Sequence, residues 1–194
     1  MVTYGHVPRW KSSGDLCTHD ENDKTKFSCR NNEIFMLNEI ERKFFVKALP
    51  DLDGITALHY ERYFLKREKG IEERISQIND SYQYEKKVHL SDLERTREGK
   101  EITKKEFDLL KEKASTVIVR DRYNISENPK IAIQIYAGKF KGLIRAEVEF
   151  NSSEEAKIFQ PLSWMGNEMT GLPIARDSEL LDVTEEEFKK YIQV

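Results

Sequence analysis

The stretch Glu39-Ile40-Glu41-Arg42-Lys43-Phe44-Phe45-Val46 alternates side chains with a period of two, and that alternation is the signature of a β-strand. One face carries Glu39, Glu41 and Lys43, followed by Phe45 and Lys47; the other carries Ile40, Arg42, Phe44 and Val46. A charged face on an antiparallel strand ordinarily meets water. The rest of the chain decides whether this one does.

The pattern returns in Leu143–Phe150, where Arg145, Glu147 and Glu149 share a face opposite Ile144, Ala146, Val148 and Phe150. Ile131–Ala137 sets Ile131, Ile133 and Ile135 against Ala132, Gln134 and Tyr136, and Val117–Tyr123 places Arg120 and Arg122 together. His59–Lys66, Ile71–Ile78 and Tyr82–Val88 read as further strands, separated by the turn signals Lys69-Gly70, Asn79-Asp80, Asn128-Pro129 and Lys139–Gly142. Capping boxes announce helices at Thr103 with Glu106, Ser152 with Glu155 and Thr184 with Glu187, and in weaker form at Ser91 with Glu94. The expected class is α+β, dominated by antiparallel strands.

Glutamates at i and i+2 share a face and repel, and a divalent cation relieves that repulsion by taking their oxygens as ligands. Two such pairs exist, Glu39/Glu41 and Glu147/Glu149, and cations recur on other strands at Lys43, Arg74, Lys87, Arg120, Arg122 and Arg145. If the sheet closes, alternate positions line one interior. The result is a polar tunnel with acidic and basic patches, its apolar outer faces covered by helices. Arginines grip phosphate oxygens in pairs, lysines supply point charge, and the carboxylates hold Mg2+ or Mn2+. A small polyanion beside a divalent metal is the expected occupant.

Composition sets the limits. The 194 residues carry 32 basic and 35 acidic side chains, a net charge of −3 that argues against a general nucleic-acid binder. Mean hydropathy is −0.69, and no apolar run approaches the roughly 20 residues needed to cross a membrane. The N-terminus shows neither a secretory nor a transit pattern, so a cytoplasmic protein, monomeric or homodimeric, is expected. Residues 1–32 are poor in aliphatic side chains and read as a polar extension, with the domain occupying 33–194. Cys17 and Cys29, with His6 and His19 nearby, match no common zinc spacing and read as reduced thiols. No Walker loop, Gly-x-Ser-x-Gly or Cys–His pair offers a covalent nucleophile or nucleotide cradle.

The Glu-Ile-Glu-Arg-Lys opening resembles the ExExK motif of the CYTH superfamily, the triphosphate tunnel metalloenzymes. The resemblance runs from about residue 37 to 180 through Arg120-Asp121-Arg122-Tyr123, Ile135-Tyr136-Ala137-Gly138 and Ala146-Glu147-Val148-Glu149-Phe150. It continues in Ser152–Ala156 and ends in Phe159 to Thr170, which contains Trp164-Met165-Gly166-Asn167-Glu168-Met169-Thr170. It implies an eight-stranded antiparallel closed β-barrel with helices packed outside. It also implies divalent-metal chemistry on phosphoanhydrides, with inorganic triphosphatases the nearest in pattern. Glu39, Glu41, Glu147 and Glu149 would be metal ligands or water-activating carboxylates. Lys43, Arg74, Lys87, Arg120 and Arg122 would bind the triphosphate, with Arg145 an added cation; Trp164 and Thr170 would shape the barrel end.

The chain departs from that pattern at Ser76, where an arginine is usual, and at Arg97 and Gly99, where glutamates are usual. Gln134 stands where many members carry an acid. Three readings follow: a metal-dependent triphosphatase, a class IV adenylyl cyclase, and a non-catalytic or weakly active binder of polyphosphate or nucleotide.

Overall fold

The computed structural model describes residues 35–192 except 69, 90 and 115, together with two three-residue strands nearer the N-terminus. These are β1 (Cys17–His19) and β2 (Phe27–Cys29), paired antiparallel. Cys17, His19 and Cys29 fall in these two strands, with Cys17 opposite Cys29 in the register. Their side chains, and the rest of the expected 1–32 extension including His6, lie outside the described residues, and with them the thiol and zinc readings.

The main sheet is built from β3 (Phe35–Val46), β4 (Leu58–Glu68), β5 (Ile71–Ile78), β6 (Ser81–His89), β7 (Glu94–Glu101), β8 (Val117–Glu127), β9 (Lys130–Tyr136), β10 (Ile144–Phe150) and β11 (Met165–Glu168). Their order is β10-β9-β8-β4-β5-β6-β7-β3-β11, and every pairing is antiparallel. β3 is long enough for three partners. Its first half, Phe35–Ile40, pairs with β7, and Ile40–Phe45 pairs with β10. β11, a short strand absent from the alternation pattern, pairs with β3 at Phe44 and Val46.

Tight connections hold successive strands in register. Gly70 turns β4 into β5 at a φ of 79°, a conformation glycine adopts without a Cβ penalty, and Asn79 turns β5 into β6 at 50°. Three of the four expected helices form: α1 (Lys104–Lys111), α2 (Ser153–Ile158) and, after the short α3 (Asp177–Leu180), α4 (Glu185–Ile192). Thr103 and Thr184 each exchange hydrogen bonds with the glutamate three residues on. Ser152 accepts from the Glu155 amide, but Glu155 reaches back to Asn151 instead. Ser91 starts no helix. Its hydroxyl accepts from the Leu93 amide in a local turn, and Glu94 opens β7.

The outward parity of β3, β9 and β10, and of β4 at Tyr63, is covered by apolar packing. Phe44, Ile131, Ala146 and Val148 form one core with Phe159 and Trp164 against it. α1 inserts the fully buried Phe107 between the rings of Tyr63 and Tyr82, a burial that stabilises by about 1.5–3 kcal/mol. A second core joins Phe64, Ile118 and Tyr136 to Ile174, Leu180, Val183 and Phe188. Phe64, Ile118 and Tyr136 lie one alternation step beyond Arg62, Arg120 and Gln134 on the same strand faces. The C-terminal segment therefore packs on the charged face of the sheet, beyond its last cations.

Candidate functional site

Alternation carries the charged faces of β3–β10 into one cavity of about 240 Å3. Of the ten residues marked by the sequence pattern, Glu39, Lys43, Arg74, Lys87, Arg120, Arg122, Arg145, Glu147 and Glu149 all line it. Glu41 is buried at its edge, 2% exposed, with its Oε1 atom 2.5 Å from Lys43 Nζ. Strand register explains the convergence: Glu147 faces Lys43 across the β3–β10 ladder, and Glu149 faces Glu41. Like charges directly opposite destabilise a sheet. Here Lys43 compensates Glu41, while Arg122 at 3.2 Å and Lys130 at 2.7 Å compensate Glu149.

Continuing the same parity along the strands adds Arg62, Glu72 and Glu85, which the sequence pattern does not single out, and Arg97, which it marks only as a departure from the family pattern. Glu85 is held by Arg97 at 2.5 Å and Arg74 at 3.0 Å, with Arg62 at 3.8 Å. Burial alone would raise its pKa, but Arg74, Arg97 and Arg62 more than reverse that and hold it well below the carboxylate range. Glu72 contacts Arg74 at 3.2 Å and His89 at 2.7 Å and accepts from the Ser178 hydroxyl. These partners likewise overcome burial and depress its pKa. Glu39 joins Lys87 at 2.6 Å to Arg97 at 3.2 Å.

Asp177 belongs to no strand. It enters from the C-terminal segment and meets Arg120 at 2.5 Å, Arg62 at 2.6 Å, Tyr136 Oη at 2.6 Å and Arg145 at 3.0 Å. Burial works against its charge, yet Arg120, Arg145 and Arg62, with the Tyr136 hydroxyl, keep it ionised. At Arg62 burial, then repulsion from Arg74 and Arg120, lowers the pKa to about 10 despite Asp177 and Glu85.

The unusual positions are integrated into this lattice. Ser76, fully buried, accepts from Arg62 Nε at 3.3 Å. Arg97 lines the cavity and bridges two glutamates, whereas Glu98 has the opposite parity. Glu101 shares the parity of Arg97 but is exposed at the strand end, so neither glutamate takes the place of an inward acid. Gln134 accepts from Arg145 through one end of its amide and donates to Glu147 through the other. Trp164 and Thr170 both bond to the end of β3: the Trp164 carbonyl accepts from the Lys47 amide, and the Thr170 hydroxyl accepts from the Lys43 amide.

Ten cationic side chains line the cavity against six carboxylates, a local net of +4 with His89 counted neutral, in a chain whose overall charge is −3. Arg120, 4% exposed, keeps one buried donor, Nε, without a hydrogen-bond partner. Such an arrangement favours a small, highly charged anion. Among the described residues no three acidic, histidine or cysteine side chains cluster closely enough to hold a metal by themselves. Mg2+ is commonly bound by one or two carboxylates with substrate phosphates and water completing its shell, and the facing pair Glu41 and Glu149 fits that chemistry.

No protein-family model matches the chain. An inorganic triphosphatase from Nitrosomonas europaea is 28% identical over 137 residues, spanning 69% of this chain and 90% of that protein. The crystal structure of an inorganic triphosphatase superposes with a TM-score of 0.57 at 25% identity, over 75% of this chain and 99% of that one. A putative adenylate cyclase from Bacillus halodurans shares the fold alone, with a TM-score of 0.52 at 14% identity over 63% of this chain and 86% of that one.

Proposed function

We propose that this CYTH-type chain is a metal-dependent triphosphatase that hydrolyses a phosphoanhydride of inorganic triphosphate inside its basic cavity. The observation that carries the reading is the lattice of cations around one cavity, in a chain similar in sequence and fold to inorganic triphosphatases. The pairing of β10 with β3 turns the strand order into a cycle, β3-β10-β9-β8-β4-β5-β6-β7, which we read as a closed eight-stranded tunnel.

Lys43, Arg74, Lys87, Arg120, Arg122 and Arg145 would bind the phosphate oxygens and stabilise charge on the phosphoryl group in transfer. Glu41 and Glu149 would hold Mg2+ or Mn2+, with Glu39 and Glu147 beside them; the ion supplies further neutralisation of phosphate charge. Glu147, fixed by Gln134 and Arg122, would accept a hydrogen bond from the attacking water and aim it in line. The water oxygen bonds to the terminal phosphorus as the bond from that phosphorus to the bridging oxygen breaks, the proton the water loses passes by way of Glu147 to a product oxygen, and phosphate and pyrophosphate leave. Among the described residues Tyr60 is the one phenyl-type ring lining the cavity, and Arg62 and Arg120 already cover it, which leaves no open stacking face there for a nucleobase. A cytoplasmic, monomeric or homodimeric protein suits this substrate.

One observation favours a second reading, a binder without turnover: the cavity's carboxylates are engaged by cations. The experiment incubates purified protein with tripolyphosphate or ATP, with and without Mg2+ or Mn2+, and measures phosphate, pyrophosphate and cyclic AMP. Metal-dependent phosphate release from tripolyphosphate, reduced at least 100-fold in Glu147→Gln, is expected. Cyclic AMP, or tight binding with no product, would overturn the assignment.

A further inference from the structure

We propose that Asp177 is a built-in anion: its carboxylate fills a three-arginine subsite at the inner end of the cavity that would otherwise bind a phosphate group. Three guanidiniums converge on one small volume, and each contributes at least one N–H to the two carboxylate oxygens. Tyr136 adds a fourth donor. Arg145 is further fixed by the Ala175 carbonyl at 2.9 Å and by Gln134, so its fork is set before any ligand arrives. Guanidinium forks of this kind recognise carboxylate and phosphate oxygens alike. Take the carboxylate away and the same donors surround a vacant anion position.

Asp177 is not a removable lid. Ile174 and Leu180 flank it on the chain, and both are fully buried in the core with Phe64, Ile118 and Val183. Ser178 beside it donates to Glu72, anchoring the segment to the opposite side of the cavity. A permanently seated carboxylate has two effects on a polyphosphate. It marks where the chain must stop, since a phosphate group cannot displace it. It also neutralises one of the guanidiniums at that end. Asp177 is thus a positioning residue that limits substrate length and the grip on product, acting through Arg62, Arg120 and Arg145.

The test compares wild type with Asp177→Ala and Asp177→Ser by titrating orthophosphate calorimetrically without metal, at constant ionic strength set with chloride. This arm needs no turnover, so it stands even if the triphosphatase reading fails. The expected result is a phosphate site at least tenfold tighter in the variants than any in wild type, with melting temperatures raised more by phosphate or formate than by chloride. If a variant does not fold in plain buffer, its recovery by phosphate or formate during refolding is the same expected signal. A variant whose phosphate affinity matches wild type, or whose folding no anion restores, overturns the proposal. Where the protein turns over tripolyphosphate, the variants should show tighter orthophosphate inhibition and a lower KM together with a lower kcat. A purely structural role would lower active protein without changing KM.

Discussion

Glu85→Gln isolates the electrostatic cost of the cavity lattice with the least change in shape. The side chain is 2% exposed, and its two oxygens are divided between Arg97 on one side and Arg74 and Arg62 on the other. The amide keeps the volume but removes the charge and turns one acceptor into a donor facing guanidiniums. Removing one partner of a buried ion pair costs about 3–5 kcal/mol, mostly because the remaining charge is left uncompensated. Arg97 retains a third of its exposure, and the cavity admits water, so part of the released charge can be rehydrated. The low end, about 3 kcal/mol, is the appropriate figure. For a domain of this size that lowers the melting temperature by roughly 6–12 °C. Thermal unfolding followed by far-ultraviolet circular dichroism at pH 7 measures it directly. Orthophosphate should recover part of the loss by supplying the missing negative charge. A decrease under about 2 °C, with no response to phosphate, would refute the view that these carboxylates hold a repelling set of cations together.

Two further outcomes follow from the same contacts. Arg42 clamps Glu168 through Nε at 2.9 Å and Nη2 at 2.5 Å while its other nitrogen donates to the Ala156 and Phe159 carbonyls, tying β3 to β11 and α2. Arg42→Lys keeps the charge but loses the fork, and should lower the urea-unfolding free energy by about 2 kcal/mol, a loss a surface ion pair would not show. Glu72, Glu85 and Asp177 all have folded-state pKa values below their usual ones. Their stabilisation is therefore complete above the unfolded carboxylate pKa of about 4 and is lost as pH falls below it toward the folded values. Urea midpoints measured from pH 7 to pH 2 should fall mainly below about pH 4, and less steeply in Glu85→Gln; a flat profile would contradict the depressed pKa values.

Much of the cavity was legible because strand parity is a local property. Once Glu39, Glu41 and Lys43 share a face, antiparallel pairing of β3 with β10 puts Glu147 and Glu149 on that same face, and the register then sets Glu147 opposite Lys43 and Glu149 opposite Glu41. Arg62, Glu72 and Glu85 were available to the same count: they sit two residues from Tyr60, Arg74 and Lys87, on strands already marked. Their strands alternate less cleanly, which hides that count. Asp177 is different in kind. It lies in a segment with no strand period, after Pro173 and a short 3-10 turn, and its chemistry comes entirely from side chains 32 to 115 residues away. Nothing local marks such a carboxylate. The Ser91–Glu94 capping pattern failed for the converse reason: the local signal was present, but pairing of the following residues with β3 and β6 outweighed one cap.

Arg97, Gly99 and Gln134, three of the positions that depart from the CYTH pattern, have one physical consequence in common, which Ser76 in place of an arginine offsets only in part. Arg97 adds a cation where that pattern has a carboxylate, and Gln134 removes a charge beside Glu147 while fixing Arg145. Each is hydrogen-bonded or ion-paired within the lattice, so the fold absorbs the changes without leaving them uncompensated. The ligand meets the difference instead, as a cavity with a stronger net positive potential. Potential of that kind acts on substrate and on both products, and binding that is equal in ground and transition states lowers KM without raising kcat. The geometry thus favours tight capture of a short polyphosphate over fast release of its fragments. Asp177 opposes this tendency, because it removes one anion position from the end of the cavity where a cleaved phosphate would be held by the largest number of arginines.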